Sequence, residues 1–256
     1  SGDKFFYDNP LESMDEHERQ RWFGCACCPG NVTRFMASVP SYAYATQQND
    51  IYVNLYIQGK AEMQTADNKV TLEQTTEYPW NGKVTIKVTP EKEGKFAIRL
   101  RIPGWTKAAP VASDLYAYTD AAKKYTLKVN GSATRGAEGD GYETIVRTWK
   151  AGDVIELEMP MDVRRIKAND KVEVDRGMVA LERGPIMFCL EGKDQPDSTV
   201  FNKFIPNDTP IEASYDANLL NGVMVLQGTA KEVEKDGTVK DVAFKAIPYS
   251  TWNNRG

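Results

Sequence analysis

Three of the four cysteines fall within four residues, Cys25-Ala26-Cys27-Cys28. Thiols packed this closely cannot tie distant segments together, so metal binding or thiol chemistry explains them better than a disulfide framework does. They stand just before a predicted helix over Asn31 to Ala37, where Val32, Phe35 and Met36 have helical spacing between Pro29-Gly30 and Pro40. The free N–H groups and dipole at a helix start favour thiolate over thiol, which improves Cys27 and Cys28 both as nucleophiles and as ligands. Two adjacent thiolates can serve one zinc ion, but a tetrahedral structural site needs four donors, so further ligands must come from elsewhere. A structural zinc knuckle or a buried thiol group fits the same spacing.

Other reactive residue types read more plainly. Cys189 lies in the apolar run Pro185-Ile186-Met187-Phe188-Cys189-Leu190 and reads as a core thiol. Glu12, Asp15, Glu16 and Glu18 crowd together with His17 and Arg19, as a solvated surface segment does, and not as a spaced catalytic pair. His17, the single histidine, has no second ligand pattern around it. Trp80, Trp105, Trp149 and Trp252 are candidates for a sugar-stacking platform, although tryptophans at strand ends more often pack a core.

The elements that must position these residues are mainly β. From about residue 50 the chain alternates apolar and polar residues. Antiparallel strands are predicted over Ile51 to Ile57, Val70 to Thr75, Lys83 to Thr89 and Lys95 to Ile102, the last with Phe96, Ile98, Leu100 and Ile102 on one face. More follow at Tyr125 to Val129, Tyr142 to Trp149 and Val154 to Met159, punctuated by Asn130-Gly131, Asp140-Gly141 and Gly152-Asp153. Beyond Pro160, strands are predicted at Val163 to Ala168, Val179 to Glu182, Ile186 to Leu190, Val223 to Leu226 and Val242 to Ile247, with Glu191 to Ser198 as a polar surface loop. The expected architecture is two β-sandwich, jelly-roll-like domains, residues 43–160 and 161–256, after a short helical piece, residues 1–42. About 40 residues with one helix cannot bury a core of their own, so that piece reads as a remnant of something larger.

A chain of 256 residues with 41% hydrophobic content can fold, and a net charge of -4 without a long basic run gives no reason to expect nucleic acid or an anionic membrane as partner. No stretch approaches the roughly 20 apolar residues of a membrane span, and no signal-peptide-like segment opens the sequence. Ser1-Gly2 reads as a cloning remnant. A bacterial periplasm or cytoplasm is compatible with these residues, as is a homo-oligomer.

The segment Trp22-Phe23-Gly24-Cys25-Ala26-Cys27-Cys28-Pro29-Gly30-Asn31 resembles the signature of glycoside hydrolase family 127, the β-L-arabinofuranosidases. Phe6-Tyr7-Asp8-Asn9-Pro10-Leu11-Glu12-Ser13, Leu100-Arg101-Ile102-Pro103-Gly104-Trp105, Leu181-Glu182-Arg183-Gly184-Pro185, Ile247-Pro248-Tyr249 and Trp252-Asn253-Asn254-Arg255-Gly256 look like family segments too. The resemblance implies that the helical piece ends an (α/α)6 barrel, and that the whole protein is a retaining exo-glycosidase acting on a glycan with L-arabinofuranosides or another plant-type oligosaccharide. It implies Cys27 as a zinc-bound nucleophile, Cys28 as a zinc ligand, Cys25 as an auxiliary thiol and Tyr7 as a substrate-pocket hydroxyl. The glutamate acid/base and the remaining zinc ligands, a glutamate and a cysteine, would lie upstream of Tyr7, leaving this stretch inactive alone. Gly30 departs from the family's usual second proline, and the spacer between Glu12 and Trp22 is shorter. A non-catalytic carbohydrate-binding sandwich with structural cysteines is the rival from another class.

Overall fold

A computed structural model describes residues 4–7, 10, 13, 16–25 and 27–255. Ser1-Gly2 and the carboxylates Glu12 and Asp15 lie outside the described residues. The chain divides into two compact units: residues 35–162, and residues 1–34 together with 163–256. The mainly-β expectation holds, with a single α-helix, Cys27–Ser38, among the described residues. No described helix is long and apolar enough to cross a membrane.

In the unit 35–162 two sheets form. One orders the strands Tyr44–Gln47, Asp50–Val53, Gly94–Arg101, Tyr142–Trp149 and Ala137–Gly139. The other orders Gly59–Gln64, Lys69–Thr76, Lys83–Pro90, Asp153–Glu158, Thr126–Val129 and Ser132–Ala133. Their inward residues make one core, with Ile51, Leu72, Ile86, Ile98, Leu100, Trp149, Ile155 and Leu157 fully buried. Phe96, Ile98, Leu100 and Ile102 are all buried, as period two requires. Asn130-Gly131 and Asp140-Gly141 close hairpins with both members at positive φ (52° and 77°; 52° and 84°), the conformation these dipeptides tolerate best.

One pairing runs opposite to the expected direction, and one strand lies outside the predicted set. The pairing of Asp50–Val53 with Gly94–Arg101 is parallel, with Ile51 opposite Ile98 and Val53 opposite Leu100; alternation fixes which face is buried but says nothing of strand direction. The strand Gly59–Gln64 escapes the apolar pattern because only Met63 is buried. It is held at a sheet edge by its backbone ladder to Lys69–Thr76.

In the other unit the strands Lys203–Phe204, Val223–Val233, Val239–Pro248, Ile186–Leu190, Ala180–Arg183 and Val163–Ala168 pair in that order. The 11-residue strand Val223–Val233 holds Val239–Pro248 on one side. On the other it takes Ile211–Asp216 along its first half and Lys203–Phe204 near its end. Val223, Val225, Leu226, Ala230, Phe244, Ala246 and Ile247 supply the core. Both long strands outrun their predicted spans because their outer halves are polar, and Ile211–Asp216, which alternates Ile211, Ala213 and Tyr215 with polar residues but buries none of them, lies outside the predicted set.

The segment Glu191 to Ser198 is not the wholly polar surface loop expected. Gln195 is buried, donating to the carbonyls of Glu191 (3.0 Å) and Lys245 (2.8 Å). The side chains of Glu191 and Asp194 are only 14% and 6% exposed, because both receive the Arg255 guanidinium. Polar composition marked this loop as surface, whereas a partner 61 residues away in sequence lets it go inside.

Candidate active site

The helix Cys27–Ser38 begins four residues earlier than predicted, so Cys27 and Cys28 form its first turn instead of preceding it. Pro29 does not end it, since a first-turn proline lacks only an N–H that would have no intrahelical partner anyway. Asn31 Nδ2 donates back to the Cys27 carbonyl (2.7 Å) and Thr33 Oγ1 to that of Pro29 (2.9 Å). Val32, Phe35 and Met36 share the expected apolar face, and all three are more than half exposed in this chain.

A second segment brings Tyr7 to the same place. Phe5 and Gln20 exchange both backbone hydrogen bonds (2.9 and 3.0 Å), which brings the Phe5 to Tyr7 stretch beside Gln20 to Phe23. The Phe5 ring contacts those of Trp22 and Phe23, and Tyr7 meets Phe23 edge-on at 5.2 Å. The Tyr7 hydroxyl then lies 3.0 Å from Cys27 Sγ and 3.6 Å from Cys25 Sγ. Cys25 Sγ is 3.5 Å and Cys28 Sγ 3.8 Å from Cys27 Sγ. Cys27 is thus the centre of the group, with Tyr7, Cys25 and Cys28 around it.

The electrostatics follow from that geometry. Hydrogen bonding by Tyr7, then by Cys25 and Cys28, with a further contribution from the Cys28 backbone N–H, lowers the Cys27 thiol to about 7. Those same bonds raise Tyr7, keeping its proton on oxygen, so the phenol is the donor and the thiolate the acceptor. Cys189 behaves oppositely, since burial and the nearby carboxylates of Glu191 and Asp194 push it up to about 12. In metal-free protein, alkylation of Cys27 by iodoacetamide should therefore rise with pH around a midpoint near 7, because only the thiolate reacts. Tyr7→Phe should move that midpoint up toward the ordinary value of about 8.5, with Cys189 unlabelled throughout. Site-resolved mass spectrometry across a pH series checks it, and an unmoved midpoint in the variant would contradict the bond to Tyr7.

Two sulfur ligands, each about 2.3 Å from a tetrahedral zinc ion, stand about 3.8 Å apart. The Cys27 to Cys28 separation of 3.8 Å therefore fits two corners of such a site. Among the described residues, no group of three or more His, Cys, Asp or Glu side chains is arranged to hold a metal ion. The pair fits the ion without completing its shell.

The remaining candidates go elsewhere. His17 Nδ1 lies 3.3 Å from Glu16 Oε1 and away from the thiols. Trp149 is fully buried and donates to the Phe96 carbonyl (3.1 Å), and Trp105 packs on the same core while donating to Tyr78 (3.2 Å). Trp252 stacks on Phe6 at 5.4 Å. Arg19 is not part of a solvated charge run, because its guanidinium lies over the Phe6 ring (4.6 Å) and donates to the carbonyls of Trp252 (2.8 Å) and Ser250 (3.2 Å). The carbonyls it donates to lie more than 230 residues away, so local spacing carries no sign of them.

Comparison with known proteins matches the chain along its length. Residues 1–41 match the model of the β-L-arabinofuranosidase GH127 catalytic domain, 50–161 that of the GH127 middle domain, and 163–256 that of the family 127 C-terminal domain. A non-reducing end β-L-arabinofuranosidase of Bifidobacterium longum is 31% identical over 287 residues, which take in 99% of this chain and 41% of that protein. The solved structure of a GH127 β-arabinofuranosidase superposes with a TM-score of 0.93 at 42% identity, over 100% of this chain and 41% of that one. A GH127 β-L-arabinofuranosidase from Geobacillus stearothermophilus T6 gives 0.87 at 36% identity, over 99% and 41%. The chain thus spans about 41% of the length of these relatives. Three consecutive domain models and a common fold agree: the chain belongs to glycoside hydrolase family 127.

Proposed function

We propose that the whole protein is a retaining β-L-arabinofuranosidase and that this chain supplies its nucleophile, Cys27. The observation that carries the reading is the Tyr7 hydroxyl 3.0 Å from a Cys27 thiol held at about 7, in the stretch that matches the family's catalytic domain. A thiol poised there is substantially ionised at neutral pH and remains a strong nucleophile.

In this reading the Cys27 thiolate attacks the anomeric carbon of an L-arabinofuranoside. A carbon–sulfur bond forms as the bond to the leaving oxygen breaks, and that oxygen takes a proton from a general acid. Water then attacks the same carbon, the carbon–sulfur bond breaks, and the thiolate returns with overall retention. Tyr7 holds the thiolate by a hydrogen bond before attack. Cys27 and Cys28 would hold zinc, which when bound favours the deprotonated sulfur and fixes its direction. The general acid and the other ligands would come from outside this chain, as the family resemblance implies.

General acid assistance contributes roughly 10²- to 10⁴-fold in rate, so the isolated chain should release no measurable sugar. Assaying it beside the full-length protein on an aryl L-arabinofuranoside tests this; turnover by the isolated chain at a comparable rate would overturn it.

A second reading draws on the unit 35–162, where an open groove of about 1130 Å³ is lined by Lys107, Tyr125, Arg135, Glu138, Asp140 and Tyr142, among others. Aromatic faces beside charged groups suit a sugar, and this reading makes the chain a glycan-binding module. Titration of the isolated chain with arabinosides and longer glycans decides it: saturable binding abolished by Tyr142→Ala supports the module, and no measurable affinity rejects it.

A further inference from the structure

We infer that the C-terminal segment Tyr249 to Arg255 is a clamp that positions Tyr7 on Cys27, with Trp252 and Arg19 as its positioning residues. The inference rests on the reading of Cys27 as nucleophile. It concerns how the hydroxyl is held there.

Around Tyr7 the described residues have little regular structure. The described residues from Lys4 to Cys25 contain only the isolated bridge between Phe5 and Gln20. A stretch of this kind does not hold a hydroxyl to a few tenths of an ångström unless something outside it does so. The outside contacts come from the far end of the sequence. Trp252 stacks on Phe6, the residue before Tyr7, with ring centres 5.4 Å apart and planes 24° apart. Tyr249 stacks on Trp252 in turn at 6.3 Å and 12°, and its hydroxyl donates to the Pro10 carbonyl (2.5 Å). Arg19 lies over Phe6 and donates to the Trp252 and Ser250 carbonyls. Asn253 Nδ2 donates to the His17 carbonyl. The described residues are therefore gripped at Phe6, Pro10, His17 and Arg19.

The clamp is itself anchored to the sheet. Arg255 forms ion pairs with Glu191 and Asp194, Lys193 donates to the Arg255 carbonyl (2.9 Å), and the Asn253 backbone N–H donates to Glu191 Oε1 (3.1 Å). Glu191 directly follows the strand Ile186–Leu190. An unbroken line of contacts thus runs from that strand through Arg255, Asn253 and Trp252 to Phe6 and Tyr7. Phe6 and Tyr7 are adjacent, so displacing the Phe6 ring displaces the backbone that carries the hydroxyl. Misplacement of a positioned group by about 1 Å can cost about a hundredfold in rate.

The test is a set of double-mutant cycles in the full-length protein, reading kcat and KM on an aryl L-arabinofuranoside with melting temperature and zinc content alongside. Trp252→Ala should lower kcat between about ten- and a hundredfold with KM nearly unchanged. Adding Tyr7→Phe to it should cost less than about twofold more, because the hydroxyl has already been lost from its place. Trp252→Phe keeps a stacking face and should recover most of the kcat. Wild-type kcat in Trp252→Ala, or independent multiplication of the Trp252 and Tyr7 effects, would overturn the clamp, since a purely structural role lowers melting temperature equally with or without the Tyr7 hydroxyl. Arg19→Lys and Asn253→Ser each disturb one part of the clamp and are read in the same cycle, so a misfolded Trp252 variant still leaves a decisive result. Cys27→Ala run in parallel separates the two readings: turnover there rejects the nucleophile, whereas loss there with multiplying Trp252 and Tyr7 effects rejects only the clamp.

Discussion

Cys27→Ala in the full-length protein is expected to lower kcat on an L-arabinofuranoside by about 10⁴-fold or more, the scale on which enzymes lose rate with their nucleophile. In the isolated chain the same substitution should hardly move the melting temperature, because Cys27 is exposed there and the helix it begins buries no residue. Cys27→Ser should do no better, since a hydroxyl bonded to Tyr7 stays protonated near neutral pH where the thiol is half ionised at about 7. Cys25→Ser is the useful contrast. It removes one of the three side chains bonded to Cys27 and leaves both Tyr7 and Cys28 in place, so its loss should be far smaller. Steady-state kinetics on the three variants check the order, and equal losses would mean that the cluster acts through its fold or its metal alone and not through one attacking sulfur.

The second large effect belongs to stability. Trp149 is fully buried, lies 6.2 Å from Phe96 ring to ring, and donates its indole N–H to the Phe96 carbonyl at 3.1 Å. Trp149→Ala should cost about 3–5 kcal/mol, because the cavity cannot close between two sheets that are already paired on either side. Trp149→Phe keeps most of the volume and leaves one carbonyl without its donor, for a smaller cost of about 1–3 kcal/mol. Urea denaturation followed by circular dichroism of the isolated chain measures both, since the fluorescence signal changes with the residue. A loss below about 1 kcal/mol for alanine would mean that the indole is not a central member of that core.

The mutational contrast between Cys27 and Trp149 mirrors what could be read from the amino acids. Strands that bury one face declare themselves, as Lys95 to Ile102 does with four apolar residues at every second position, and turns that need positive φ declare themselves through Asn130-Gly131 and Asp140-Gly141. Edge strands do not, because Gly59–Gln64 and Ile211–Asp216 are held by main-chain pairing that any side chain permits. The helix starts four residues before Asn31 because Pro29, which reads as a boundary, sits in the first turn, where a proline is compatible with helix.

For the site, the cysteine spacing and family resemblance sufficed to single out Cys27, but not its environment. Tyr7 lies 20 residues away, and only the Phe5 to Gln20 bridge and the Phe23 ring show how it returns. Arg19, Trp252 and Asn253 were harder still. Each makes its defining contact more than 230 residues away, through carbonyls and ring faces that impose no pattern on the intervening sequence. The Glu191 and Asp194 pair shows the same principle from the other side: charges that look solvated go inside when a distant arginine meets them.

As the nucleophile, the Cys27 sulfur becomes covalently attached to sugar during turnover. The most direct measurement treats the full-length protein with an L-arabinofuranosyl compound bearing an electrophile at the anomeric position, then maps the modified peptide by tandem mass spectrometry. One sugar adduct is expected, on Cys27, formed in step with loss of activity and suppressed by excess substrate. Inactivation with the adduct on a carboxylate or on Cys28, and Cys27 unmodified, would contradict it.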